Sequence, residues 1–309
     1  MQIVCICSTC LWRIEMRAKK SICTLLGLSI FLSMILITSC NKSGISDSEN
    51  STKKKPIIAV SIVPEQTFVK VVCGDLAEVV TMIPPGNSPE NYEPKPSEMV
   101  RFSKASLYFS IGVPTEEANI LPNVVNIKII SLAEKVAAVY PDRTFESGER
   151  DPHIWLSPKR VKVMIDTIAD EMSKLDPNNA GTYKENAKAY ITQLDILDAQ
   201  IKSALDGVQS KKFIVYHPAF GYLADDYGLT MYALEEEGKE ATAGHLQEMI
   251  DLAKAKNIKV IFYQEEIDGS QSKAFAEEIG GKTIQLAPLA ADYISNLNNM
   301  AETMAGVMQ

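Results

Sequence analysis

The sequence predicts an α/β protein of two lobes, each a small parallel sheet flanked by helices, joined by one long rigid backbone helix. Three observations carry this. Short runs of branched apolar residues alternate with amphipathic stretches, the pattern of strands linked by helices into parallel sheets. The alternation occurs in two separate series. Between them, residues 179–205 hold the longest helical pattern in the chain.

The elements follow in order. Residues 57–63 (IIAVSIV) form a continuous branched run between Pro56 and Pro64, as in a strand buried on both faces. Residues 79–83 are a second strand, closed by the turn-rich segment 84–89 (PPGNSP). Ser97-Glu98-Met99-Val100 reads as a helix start with acid in its first turn. Residues 107–111 are a third strand, cut off at Gly112, and 126–130 a fourth. Pro158 opens a helix that runs to about Leu175, where Asp176-Pro177 breaks it. In the long pattern, Tyr190, Leu194, Leu197, Ile201 and Leu205 recur at three- and four-residue spacing. About 27 residues at 1.5 Å each span roughly 40 Å, enough to cross a whole domain. The second series runs strand 213–216, helix near 220–226, strand 230–234 and helix 243–256. It continues with strand 259–263, helix near 273–279, strand 283–286 and a helical tail, 292–308. The expected division is 56–175 for the N-terminal lobe, 176–209 for the linking helix and 210–309 for the C-terminal lobe.

Residues 1–39 read as a secretory signal. Arg17, Lys19 and Lys20 precede the apolar stretch 22–38, and small residues lead up to Cys40. Met16 fits this pattern as a start better than Met1 does. Leu36-Ile37-Thr38-Ser39-Cys40 resembles a bacterial lipobox, which implies cleavage before Cys40 and a lipid on its sulfur. An uncleaved membrane anchor is the alternative. Residues 40–55 are then the lipidated cysteine and a flexible polar tether that cannot pack a core. The body is expected outside the cytoplasm, lipid-anchored to the membrane on its periplasmic side or at the cell surface.

Composition excludes some partners. The formal net charge is −8 and no basic face stands out, so no nucleic-acid partner is expected. Of six cysteines, only Cys73 lies beyond Cys40, so no internal disulfide can form and the fold must rest on its hydrophobic cores. Cys73 reads as a small core residue in the apolar run 68–73. A monomer is expected.

Three histidines occur in the chain, and ligands of open α/β sheets sit beyond the carboxyl ends of the strands. His217 directly follows strand 213–216. Glu90 lies in the loop after strand 79–83. His153 sits between the lobes in Asp151-Pro152-His153-Ile154-Trp155, and Gln264, Glu265 and Glu266 follow strand 259–263. Two imidazoles and one or more carboxylates converging on a cleft suit a first-row divalent metal. Each histidine taken alone also fits a hydrogen-bonded structural role. His245 lies inside a helical pattern and reads as a plain helix residue.

Several segments resemble one family. Pro89-Glu90-Asn91-Tyr92-Glu93-Pro94-Lys95-Pro96-Ser97 is similar to the PHxYEPxPS segment of the TroA-like (cluster A-I) solute receptors, which serve bacterial ABC importers for zinc and manganese. Asp151-Pro152-His153-Ile154-Trp155-Leu156-Ser157-Pro158 matches their DPHxWLxP segment, and Tyr216-His217-Pro218-Ala219-Phe220-Gly221-Tyr222 their YHxAFxY segment. Ile111-Gly112-Val113-Pro114 and Glu237-Gly238-Lys239-Glu240 also fit. The resemblance runs from about Ile57 to the end, and it implies metal ligation by Glu90, His153 and His217. It has departures. Glu90 stands where the family has histidine, and Ala287 falls in a segment that often carries an acidic ligand. The loop 145–150 lacks the histidine-rich insertion common in the zinc branch. The fourth metal position is left to water, or to Glu265 or Glu266.

The resemblance implies a tethered receptor that hands a divalent metal to an ABC permease. Zinc (Zn2+) is favoured and manganese (Mn2+) is the alternative. No enzymatic role is expected, since no HExxH-type motif accompanies the ligands. A surface metallohydrolase and a surface adhesin on the same fold remain as other readings.

Overall fold

A computed structural model describes residues 55–235 and 239–308. The proposed signal, Cys40 and most of the tether lie outside the described residues. Strand β1 (Ile57–Val60) is fully buried, and the chain turns at once into helix α1 (Val63–Cys73). The expected strand 57–63 is therefore shorter by three residues. Pro64 suits the first helical turn, and the Glu65 carboxylate reaches back to accept from the backbone N–H of Ser61 (2.9 Å) and Ile62 (3.1 Å). Cys73 ends α1 in the core, where burial pushes its thiol up to about 12, so it serves as a small apolar filler.

Strand β2 (Glu78–Thr81) leads to the loop that carries Glu90, and helix α2 (Pro96–Phe102) follows. Strands β3 (Leu107–Ser110) and β4 (Lys128–Ser131) complete a parallel sheet of order β2-β1-β3-β4. Helix α3 (Leu132–Ala137) was not expected from the sequence. Its signal is present, because Ser131 Oγ accepts from Glu134 N (3.2 Å), an N-cap with acid in the first turn.

Helix α4 (Pro158–Leu175) has the expected bounds, with Ser157 as N-cap and Pro158 in the first turn. The long helix α5 (Ala180–Asp206) has 27 residues. It buries Tyr183, Ala187, Tyr190, Leu194, Leu197, Ile201 and Leu205, one stripe along its whole length. The C-terminal half repeats the first topology. It comprises β5 (Lys212–Val215), α6 (Gly221–Tyr227), β6 (Thr230–Ala233), α7 (Ala243–Ala255), β7 (Val260–Gln264), α8 (Ser270–Glu278), β8 (Lys282–Leu286) and α9 (Tyr293–Val307). Its sheet is again parallel, in the order β6-β5-β7-β8.

One continuous apolar core runs from Ile58 and Phe109 of the first sheet, past the buried stripe of α5, to Phe213 and Phe262 of the second. Direct ties cross between the halves. The Phe68 and Tyr293 rings meet edge to face with centroids 5.0 Å apart, and Thr67 Oγ1 donates to Ala291 O (2.7 Å). Trp155 Nε1 donates to Pro288 O (3.0 Å), while the Trp155 carbonyl accepts from Tyr293 OH (2.7 Å).

The carboxyl end of the first sheet is sealed from within. Glu65 and Glu116 are both buried there. Glu116 accepts from the N–H of Ile111 (2.8 Å) and Gly112 (2.7 Å) and from the Ser61 hydroxyl, which also meets Tyr108 OH. Burial, and the charge of Glu116 beside it, hold Glu65 well above the usual carboxylate range, and burial raises Glu116 as well.

The stripe on α5 is directly testable. Leu197 is fully buried, whereas its neighbour Ile196 is 55% exposed. Leu197→Ala is expected to lower unfolding free energy by about 2–5 kcal/mol, and Ile196→Ala to stay within about 0.5 kcal/mol of the parent, both read by denaturant unfolding.

Candidate metal centre

Three segments bring the site together. Glu90 lies in the loop after β2, its N–H accepted by Ser88 Oγ (3.3 Å). His153 follows a tight hairpin, in which Thr144 bridges Arg150 and Asp151 N donates to Arg143 O (2.9 Å). His217 leaves the end of β5. Both imidazoles are 3% exposed and Glu90 is half-buried.

The two imidazoles face each other Nε2 to Nε2 at 3.1 Å, and Glu90 Oε1 lies 3.5 Å from His217 Nε2. One ligand atom from each of Glu90, His153 and His217 falls within 4.8 Å of the others, and this is the one such cluster among the described residues. At metal–nitrogen distances of 2.0–2.1 Å, a tetrahedral ion spaces its ligand atoms about 3.3 Å apart. The two separations to His217 Nε2, 3.1 and 3.5 Å, bracket that value, and the third pair lies within 4.8 Å, close to the size a small divalent cation needs.

Each imidazole is held from behind. Asp151 Oδ1 takes both the backbone N–H of His153 (2.9 Å) and its ring Nδ1 (2.8 Å). Glu235 Oε2 meets His217 Nδ1 at 2.9 Å. A carboxylate on Nδ1 keeps the proton there and turns the Nε2 lone pair toward the shared centre. Burial disfavours a charged His217, but hydrogen bonds and charge from Glu235 and Glu90 outweigh it and hold the ring at about 9. Burial likewise raises Glu90, but the hydrogen bond and charge of His217 override it and leave Glu90 below its usual value.

Asp151 is backed in turn by Arg143, whose Nε lies 3.2 Å from Asp151 Oδ2 and whose Nη1 reaches Asp225 at 2.9 Å. Tyr222 OH accepts from Arg143 N (2.9 Å) and donates to Asp151 O (3.2 Å). Gly221 makes room for this pair. A Cβ there would sit 2.1 Å from Arg143 Nε and 2.7 Å from Asp151 Oδ2. Nearby, Arg160 stacks over the Tyr222 ring at 4.3 Å and pairs with Asp226 (3.1 Å), fastening the start of α4 to α6.

The other expected residues lie elsewhere. Glu265 and Glu266 are not part of the cluster. The Glu265 N–H donates to Leu286 O, and burial raises the Glu266 carboxyl. His245 is outside it too, with Nε2 donating to Ala233 O (3.0 Å) on the first turn of α7. The supporting residues Glu235, Arg143 and Gly221 were missed. Glu235 is legible only once the strands are paired: Val215 of β5 pairs with Ala233 of β6, so His217 and Glu235 leave adjacent parallel strands side by side. The ladder extends past the strands, with Glu235 N donating to Tyr216 O (2.9 Å).

Comparison with known proteins gives one consistent answer. The profile of the family described as "ZnuA: Zinc-uptake complex component A periplasmic" matches residues 58–307. The high-affinity zinc uptake system protein ZnuA of Bacillus subtilis is 30% identical over 265 residues, covering 81% of this chain and 83% of its own. The iron ABC transporter substrate-binding lipoprotein MtsA of Streptococcus pyogenes is 27% identical, covering 82% of this chain and 85% of its own. A crystal structure of ZnuA superposes with a TM-score of 0.77 at 36% identity, over 82% of this chain and all of that one. The two-lobed α/β fold expected from the sequence is the fold of that structure.

The packing behind His153 yields a test. Gly221→Ala forces Arg143 off the fully buried Asp151 and is expected to lower Tm by about 5–10 °C. Gly207→Ala, with open space around its Cβ, should melt with the parent. Differential scanning calorimetry of both variants measures the contrast.

Proposed function

Because the chain belongs to the ZnuA family of zinc-uptake components, we propose that it captures a divalent transition metal on Glu90, His153 and His217 and delivers it to an ABC permease. The observation that carries this reading is the pair of buried imidazoles meeting Nε2 to Nε2, each backed by a carboxylate, with Glu90 beside them. Two nitrogens and one carboxylate oxygen fit four-coordinate zinc with water in the remaining place. Manganese prefers more oxygen ligands, which Glu265 or Glu266 would have to bring from the end of β7. Zinc is accordingly the favoured cargo and manganese the alternative. The negative charge of Glu90 offsets part of the charge that Ala287 cannot supply.

The same three-ligand centre with an open position would suit a metallohydrolase. Reversible capture fits better, since the second carboxylates, Asp151 and Glu235, are engaged in holding the imidazoles rather than poised as a general base. The body acts as a monomer in which 56–175 and 210–309 form the lobes and 176–209 the linking helix. Cys40 carries the lipid and residues 41–55 the tether, which keeps the receptor close to its permease and raises the effective concentration for docking. No helix among the described residues is long and apolar enough to cross a membrane.

Two measurements test this. In calorimetric titration with zinc and manganese, His153→Ala and His217→Ala are expected to lose most of their affinity, and His245→Ala to bind like the parent. Since His217 sits at about 9 without metal, binding below that pH must expel its proton. Apparent zinc affinity should therefore rise about tenfold per pH unit between pH 6 and 8, with proton release seen as a buffer-dependent enthalpy. Equal loss in all three histidine variants would relocate the site.

Attachment is tested separately. Cys40→Ala is expected to abolish incorporation of a clickable fatty acid in cells, because the thiol is the acyl acceptor. Label retained by the variant would refute the anchor.

A further inference from the structure

The two imidazoles are held by the same device, with unequal backing. Asp151 is fully buried, paired with Arg143, and locked by Tyr222 and the packing at Gly221. Glu235 reaches His217 from a side chain 11% exposed and itself forms part of the wall of a cavity of about 580 Å³, whereas on the other side only Arg143, behind Asp151, reaches that wall. His217 is almost fully enclosed, and Glu235, bonded to its Nδ1, stands between the ring and that cavity's lining.

From this asymmetry we propose that Glu235 is a positioning residue for the metal centre that sets how long the ion is held. Its carboxylate fixes the ring through Nδ1 and directs Nε2 at the ion, and its charge makes that nitrogen a stronger donor. The backbone holds it in register, since the N–H of Leu234 donates to Val215 O (3.0 Å) and that of Glu235 to Tyr216 O (2.9 Å). Loss of the carboxylate frees the His217 ring to turn, while His153 stays fixed by Asp151. The His217 side is then the side on which the site loosens. The inference rests on the metal-capture reading above and adds to it a residue that touches no metal itself.

The test loads the purified chain with one zinc and chases it with excess chelator. The variants are Glu235→Ala, Glu235→Gln, His217→Ala and, as a control for surface charge, Glu248→Ala on exposed α7. Glu235→Ala is expected to release zinc about 10–100-fold faster than the parent, still at one ion per chain. Glu235→Gln keeps the shape without the charge and should fall between the two, and Glu248→Ala should match the parent. Cobalt-loaded protein adds a readout that a purely structural role would leave unmoved. The visible ligand-field bands should shift in Glu235→Ala, with the metal-free Tm within about 2 °C of the parent. If Glu235→Ala proves unstable, Glu235→Gln decides alone, and parental release from it overturns the proposal. Parental release and parental cobalt bands in Glu235→Ala, while His217→Ala has lost affinity, overturn the role of Glu235 and leave the metal site standing. Parental affinity in His217→Ala overturns the site and this proposal together.

Discussion

The shared apolar stripe of α5 is the constraint on which the rest depends. Each small four-stranded sheet needs cover on both faces, and a parallel sheet can obtain that only from helices. Each sheet closes a smaller core of its own on one face, around Phe102 and Tyr108 in the first half and Ile261 and Phe275 in the second; along the other face the chain lays one helix of 27 residues across both halves, and a shared core extends through its buried row. Residues that are 64 apart in sequence, His153 and His217, can then meet at 3.1 Å, because the segments bearing them are anchored to one continuous packed body. The arrangement that suits ion capture is thus a consequence of packing far from the ion's place.

The two halves use one topology for different ends. In both sheets the central pair of strands marks the point where the chain order reverses, and a crevice opens beyond their carboxyl ends. In the second half that crevice receives His217. In the first it is filled by the protein itself, with Glu65 and Glu116 taking the backbone N–H groups of Ser61, Ile62, Ile111 and Gly112. Those amides would otherwise form an anion pocket at the start of α1. Two carboxylates so enclosed repel each other, and the raised values of both favour keeping a proton between them. The amides at that switch point are thereby taken by the chain's own carboxylates.

Much of this was legible in the residues. The α5 stripe, the bounds of α4 and the alternation of strands and helices follow from periodicity and from proline and serine at helix starts, local signals that the fold retains. The convergence of Glu90, His153 and His217 was legible from strand ends for Glu90 and His217, and for His153 from the family-like segment that carries it. The supports were harder. Arg143 acts through a hairpin pairing that no local pattern announces, and Gly221 matters only because another side chain occupies the space where its Cβ would be. Glu235 needed the order β6-β5, which is a tertiary fact. Glu265 and Glu266 stand at the proper strand end, yet their carboxylates do not reach the three that converge. Proximity along a strand end does not decide where a side chain points.

Trp155 bears on how such a receptor could announce that it is full. It lies two residues from His153, its indole nitrogen is bonded to Pro288 and its carbonyl to Tyr293, so the loop carrying one imidazole is stitched to the opposite half. A wide swing of the halves would break those bonds and shear the common core. Occupancy therefore has no large change of outline to advertise. A docking partner must read something subtler, the ordering of a few loop atoms and the local charge at the rim. Discrimination between the full and empty forms is then a matter of electrostatics and loop stiffness more than of shape, and it should weaken as salt screens the rim charges.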